Sequence, residues 1–296
     1  MAEIDLHGIF PPITTPFING SVAYDKLAFN IEKWSKAGLK GLVVLGSNGE
    51  YPYLSEEEKL KVVETVVQSA PEDMLVVAGT GCESTAETIK LTCSCADLGI
   101  HAALVVTPHY YHGKMNEDAM FKHYTAVADN SPIPILLYNV PKFTHINLTV
   151  KIVSQLSRHP NIVGIKDSAG NVNQLSDYLN NVDADFKVLV GTAGALFGGM
   201  TLGCSGGILA LANVAPENCV KIYDLVEAKN YEEARKLQLK MITLNNALTA
   251  TLGVPGLKTA MDILGYFGGE PRLPLLPSSE NAKSEIMEIL KEAELI

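Results

Sequence analysis

Near the end of the apolar run IVGIKDS (162–168) stands a lysine, Lys166, and a tyrosine, Tyr138, holds a comparable place in PILLYNVP (134–141). Lysine in water has a pKa near 10.4, so at neutral pH its free amine lies about 3.4 units uphill, roughly 4.6 kcal/mol. Burial against apolar walls penalises the cation and closes part of that gap. A neutral amine in a dry pocket attacks ketones and forms Schiff bases. The competing fates are a head that reaches out to water and a head paired with a carboxylate. What decides between them is the set of elements that hold the lysine and the side chains that share its level.

Those elements repeat. Continuous apolar, β-branched runs occur at 8–17, 41–46, 74–80, 102–108, 134–141, 162–168, 187–192 and 206–211. A run without polar alternation suits a strand buried on both faces, as in a parallel sheet. Gly, Pro, Ser, Thr or Asn follows nearly every run. Helical patterns lie between them, as in 57–70 and 85–99, with capping boxes expected at Ser55 with Glu58 and at Ser84 with Glu87. Asp25 and Asn116 are expected N-caps, and Gly38 and Gly99 sit at C-cap positions. Eight strands alternating with helices predict a (β/α)8 TIM barrel of the α/β class. A doubly wound open sheet competes, but its GxGxxG turn is missing after the first run. From about residue 215 the pattern is helical only. The expected organisation is a barrel over 1–214 and a C-terminal helical appendage over 215–296, packed on the barrel.

In such a barrel the chemistry sits at the C-terminal strand ends. Polar residues fall there: Ser47, Asn48 and Glu50; His109 to His112; Tyr138; Lys166 and Ser168; Gly191 and Thr192. Lys166 and Tyr138 then stand on neighbouring strands at one level, which favours chemistry over a solvated lysine. Glu50 reads as structural. The histidines are scattered, and His109 with His112 lacks a convincing carboxylate partner, so no metal site is expected.

The chain has 296 residues, 47% of them hydrophobic, with 19% charged and a net charge of -10. That is enough for a large core. Without a basic run, nucleic acid and anionic membranes are not expected partners. The five cysteines form no CxxC pair and read as fillers in a reduced compartment. No signal, transit or transmembrane segment is visible, so a cytoplasmic location is expected, or an organellar one if a leader was removed.

Taken together, GSNGEYPYLSEEE (46–58), VVTPHYY (105–111), LLYNVP followed 28 residues after its tyrosine by the lysine of GIKDS, LVGTAG (189–194) and GGILALANV (206–214) resemble the dihydrodipicolinate synthase / N-acetylneuraminate lyase superfamily. These are class I pyruvate aldolases on a (β/α)8 barrel, and the resemblance spans essentially the whole chain. It implies Lys166 as the Schiff-base lysine and Tyr138 as the proton relay. It implies Ser47 and Asn48, where relatives often carry two threonines, as the grip on the pyruvyl carboxylate. Tyr110, with Tyr111 as its rival, becomes the tyrosine that enters a neighbouring subunit's site, and Ser168, Gly191 and Ile208 line the pocket. The implied assembly is a homotetramer, a dimer of dimers. The implied cofactor is none, the covalent imine with a 2-oxo acid substrate serving instead.

One position departs from the pattern. Dihydrodipicolinate synthases carry an arginine two residues after the proline of YNVP, and this chain has Phe143. A phenyl ring cannot make a bidentate pair with a carboxylate. Lys142 and His145 are the available substitutes. Together with GCESTAET (81–88) and GVPGLKTAMDILGYFGG (253–269), the site looks closest to 4-hydroxy-2-oxoglutarate aldolases. The expected activity is therefore cleavage of a 4-hydroxy-2-oxo acid (4-hydroxy-2-oxoglutarate or a 2-keto-3-deoxy sugar acid) to pyruvate and an aldehyde. Condensation of pyruvate with aspartate semialdehyde is the alternative.

Overall fold

Eight short parallel strands form the centre of the structure, a computed structural model that describes residues 4–296. They are β1 (Gly8–Phe10), β2 (Gly41–Val44), β3 (Leu75–Gly79), β4 (Ala102–Val106), β5 (Ile135–Asn139), β6 (Ile162–Asp167), β7 (Lys187–Val190) and β8 (Gly206–Ile208). Each strand pairs in parallel with its successor from β2 to β8, and β8 pairs with β1. The seam between β1 and β2 is closed by a single bridge, Pro12 to Val43, with hydrogen bonds from Val43 to the Pro11 carbonyl and from Ile13 to the Val43 carbonyl. Pro11 and Pro12 have no N–H to donate, so the ladder here is thin. For the same reason the run 8–17 is not one strand. Its last residue, Phe17, belongs instead to a separate hairpin of Phe17–Ile18 with Ser21–Val22.

Side chains alternate across the strands with period two. Val43, Leu136, Tyr138, Leu189 and Ile208 belong to the cluster inside the barrel, closed below by Leu6 and Phe10. Their neighbours Leu42, Val44, Ile135, Leu137, Val188 and Val190 pack outward against the helices. Both faces are apolar, which is why the runs show no polar alternation.

The helix ring comprises α1 (Tyr24–Trp34), α2 (Glu56–Ser69), α3 (Thr85–Asp97), α4 (Glu117–Asn130), α5 (Val150–Leu156), α6 (Val172–Asn181), α7 (Leu196–Leu202) and α8 (Pro216–Glu227). Ser55 and Glu58 complete a reciprocal capping box, and Asn116 caps α4. Ser84 accepts from the Glu87 amide, but the return bond is not made. Asp25 does not cap α1. The helix starts two residues earlier, Ala23 is the cap residue, and Asp25 lies in the first turn, where its charge meets the positive end of the helix.

Three further helices follow: α9 (Tyr231–Asn245), α10 (Gly253–Ile263) and α11 (Glu280–Glu292), with a π-helical stretch, Asn246–Thr251, between the first two. Because α8 packs against α7 and β1 as the eighth member of the ring, we place the end of the barrel at Glu227 and the start of the appendage at α9, later than the 214/215 boundary expected from the pattern. The five cysteines are unbonded, three of them buried. Among the described residues no helix is long and apolar enough to cross a membrane.

Gly206 pairs with Gly8 at the β8–β1 contact, with φ of +153°, and a Cβ there would lie 2.0 Å from the Gly8 carbonyl oxygen. Gly206→Ala is therefore expected to cost on the order of 1–3 kcal/mol by overpacking. The check is a lowered urea midpoint at unchanged slope; an unmoved midpoint would mean that the seam has room to spare.

Candidate active site

Lys166 and Tyr138 are direct cross-strand partners in the β5–β6 register. Both point into the barrel mouth, at 3% and 5% exposure, and the Lys166 Nζ lies 4.0 Å from the Tyr138 ring centre. Lys166 neither escapes to solvent nor forms an ion pair among the described residues. Burial of the Tyr138 phenol opposes its ionisation. The Lys166 charge and polar contacts with Ser47, Lys166 and Ser168 outweigh that penalty, so the phenol sits below its ordinary value. A phenol so placed can pass a proton to and from groups bound beside the amine.

The β2–α2 loop forms the opposite wall. Ser47–Gly49 make one tight turn, with Leu45 before it and Glu50 after it in the left-handed region, at φ of 56° and 54°. The turn brings the Ser47 Oγ within 3.4 Å of the Tyr138 hydroxyl. Asn48 lines the cavity beside it, and its amide nitrogen is buried with no partner. The Ser168 hydroxyl donates to the Gly191 carbonyl at 3.2 Å. Gly191 leaves room for it, since a Cβ at 191 would lie 2.1 Å from that same oxygen.

These residues line one cavity of about 260 Å³, together with Pro12, Thr192 and Ala210. Its lining holds two lysines, Lys166 and Lys142, and no Asp or Glu. In a chain of net charge -10, that local balance suits an anionic 2-oxo acid. Phe143 is at the rim and half exposed, on a one-turn helix Pro141–Thr144. Lys142 on the same turn donates to the Thr249 and Ala250 carbonyls at 3.1 and 3.4 Å.

One residue, Ile208, falls elsewhere than expected, and two tyrosines expected to serve a neighbouring subunit stand clear of this chain's own cavity. Ile208 does not line the cavity; it is buried in the barrel interior with Tyr138 and Leu189, and Ala210 takes the lining position after β8. Tyr110 and Tyr111 lie outside the cavity, 75% and 70% exposed, with ring centres 5.0 Å apart. Their segment is held by Glu83, which accepts from the His109 and Tyr110 amides at 2.9 and 2.8 Å and meets the His109 ring at 3.0 Å. That carboxylate partner comes from the β3–α3 loop and is remote in sequence, so local reading missed it. No group of three His, Cys, Asp or Glu among the described residues could hold a metal ion. Also missed was the wall built by Asn245, Leu248, Thr249, Ala250, Val254 and Leu257. The only trace of it in the sequence is the uncharged run from Met241 to Leu257.

A second pair backs the first. Asn139 and Asp167, next in sequence to Tyr138 and Lys166, are also register partners, and their side chains face outward. The Asn139 amide donates to Asp167 Oδ1 at 2.6 Å, and the Gln174 amide from α6 donates to the same oxygen at 3.1 Å. Asp167 Oδ2 is buried without a partner. Burial raises the Asp167 pKa, against the hydrogen bonds from Asn139 and Gln174, which lower it.

Over residues 5–293 the chain matches the model of the dihydrodipicolinate synthetase family. It is 40% identical over 285 residues to a 4-hydroxy-tetrahydrodipicolinate synthase of Methanothrix thermoacetophila, covering 96% of this chain and 95% of that one. A solved dihydrodipicolinate synthase superposes with a TM-score of 0.93 at 35% identity, over 98% of this chain and all of the other. The chloride-inhibited dihydrodipicolinate synthase from Acinetobacter baumannii, solved in complex with pyruvate, superposes with a TM-score of 0.94 at 32% identity, over 99% of this chain and all of the other.

The raised Asp167 pKa has a definite sign. Between the unfolded value near 3.9 and the higher folded value, the native state binds the extra proton, so stability falls as pH rises through that window and the loss persists above it. Asp167→Asn keeps an acceptor for Asn139 and removes the charge. Its denaturation midpoint is expected to lack this component and to gain on the wild type as pH climbs from about 4 to 7. Parallel midpoint–pH curves for the two proteins would refute it.

Proposed function

The chain belongs to the dihydrodipicolinate synthetase family, whose members are pyruvate-dependent lyases and synthases working through a Schiff-base lysine without a cofactor, and on that premise we propose that it cleaves a 4-hydroxy-2-oxo acid to pyruvate and an aldehyde. The observation that supports cleavage over synthesis is Phe143 at the cavity rim, in a lining with no arginine. A phenyl ring offers no charge for a distal carboxylate, so it weighs against aspartate semialdehyde, and among the cleavage substrates it favours a 2-keto-3-deoxy sugar acid, whose aldehyde half is uncharged, over 4-hydroxy-2-oxoglutarate.

The chemistry follows from the named groups. The Lys166 amine attacks C2 of the substrate, forming the C–N bond of a carbinolamine, and loss of water gives the protonated imine. Tyr138, ionised ahead of an ordinary tyrosine, takes the proton of the 4-hydroxyl, with Ser168 beside it. The C3–C4 bond breaks, and its electron pair moves through the enamine to the imine nitrogen. The aldehyde leaves, C3 is protonated, and water returns pyruvate and free Lys166. Ser47 and Asn48, with the loop amides, hold the pyruvyl carboxylate.

The comparisons favour the alternative, condensation of pyruvate with aspartate semialdehyde, over cleavage. The Methanothrix relative and the solved structures above are synthases, and condensation runs through the same imine and enamine in reverse. Lys142 is the one other cation in the lining and is the group available to meet the aldehyde's carboxylate. Assembly as a homotetramer, with Tyr110 or Tyr111 entering a neighbour's site, and a cytoplasmic location belong to the same proposal; the exposure of both tyrosines is what such a contact requires.

Pyruvate with borohydride is expected to leave one reduced adduct on Lys166, and Lys166→Ala to abolish turnover while keeping the fold. Peptide mapping that finds Lys166 unmodified would sink the mechanism. To choose between the readings, pyruvate release from 4-hydroxy-2-oxoglutarate and 2-keto-3-deoxy sugar acids is set against coupled condensation with aspartate semialdehyde. Release should exceed condensation by 100-fold or more in kcat/KM, on the order of the discrimination carried by one missing charged contact. The opposite ranking would install the synthase.

A further inference from the structure

Among the described residues one ion pair is fully buried: Lys258 Nζ lies 2.6 Å from Glu50 Oε1, and both side chains are 1% exposed. Glu50 directly follows the Ser47–Gly49 turn, and Lys258 directly follows Leu257, so the pair joins two walls of the active-site cavity. Its surroundings are specified. Glu50 Oε2 accepts the Arg272 backbone N–H at 2.8 Å, and Lys258 also donates to the Glu270 carbonyl at 3.0 Å. The Phe17 ring carries both cations, with Lys258 Nζ and the Arg272 guanidinium each 4.4 Å from its centre. That guanidinium in turn makes two bonds of 2.7 Å to Glu58, the capping-box residue of α2. Burial pushes the Lys258 ammonium below its ordinary pKa, and the Glu50 charge opposes that push.

As a device for stability alone, such a pair is inefficient. Desolvating two charges offsets most of their attraction, and an apolar pair of like volume commonly does as well or better. What a buried pair supplies is a fixed geometry. Here there is something to fix: the loop between Leu45 and Glu50 is bounded by two left-handed non-glycine residues, a conformation that holds only where the surroundings enforce it. There is also a charge to cancel, because a bare carboxylate at Glu50 would repel the acid that the adjoining turn must receive.

We propose that Glu50 and Lys258 are positioning residues that hold Ser47 and Asn48 where the pyruvyl carboxylate binds; this rests on the reading that those two residues bind it. The experiment measures the pyruvate concentration giving half-maximal borohydride trapping at Lys166, with kcat and KM alongside. It compares the wild type, Glu50→Gln, and the double variant Glu50→Gln with Lys258→Met, which removes both charges and leaves no orphaned ion. Both variants are expected to need roughly tenfold more pyruvate or beyond, the scale set by a displaced binding group. Complete labelling at saturation would show that Lys166 itself is intact. A folded double variant with wild-type half-saturation would overturn the proposal and reduce the pair to a fold stabiliser. If the wild type does not trap pyruvate at all, the underlying reading falls first and this proposal with it.

Discussion

The structure depends on the register between β5 and β6. Tyr138 faces Lys166 and Asn139 faces Asp167 across two adjacent parallel strands. Because side chains alternate, a slip of β6 by one residue would turn the amine outward, away from the phenol, and bring the Asp167 carboxyl into the mouth. The 2.6 Å bond from Asn139 to Asp167 opposes that slip from the far side of the sheet. The inner pair is thus aligned by an outer pair that never touches the cavity. The same outer pair carries a cost, a buried carboxylate oxygen with no donor, which the density of the surrounding ladder sustains.

Electrostatically the protein is divided. It is acidic as a whole, yet the cavity lining holds two lysines and no Asp or Glu. Two of the acids close to the site are paired with cations: Glu50 with Lys258, Glu58 with Arg272. An anion approaching the strand ends therefore meets a positive pocket, although the distant surface repels it.

Much of this was legible in the sequence, for identifiable reasons. Strands buried on both faces leave continuous apolar runs, and eight of them announced the barrel. Lysine is so rarely buried that Lys166 stood out in its run, and Tyr138 stood out by its matching place. What was not legible was built from remote partners. Lys258 looks like any helix lysine in GLKTAMD, and nothing local marks it as bound to Glu50. The wall from Asn245 to Leu257 is an uncharged stretch whose π-helical turn has no signature. Ile208 was expected to line the cavity from the resemblance alone, but its side chain is buried inside the barrel with Tyr138 and Leu189. Asp25 was read as a cap because the hairpin before α1, of which only Phe17 lies in the run 8–17, was not read from the sequence.

The thin seam at Pro11 and Pro12 has a consequence for how the barrel behaves. Around β5 to β7 every strand is laced to both neighbours, so the amine and phenol ride on a stiff half of the cylinder. Between β1 and β2 the stitching is sparse, and the turn bearing Ser47 and Asn48 grows from that looser edge. The covalent bond is thus made on the fully laced half of the cylinder, while the turn that clasps the acid end of the guest stands at the sparser seam, where the Glu50–Lys258 pair adds a tie that the sheet does not supply.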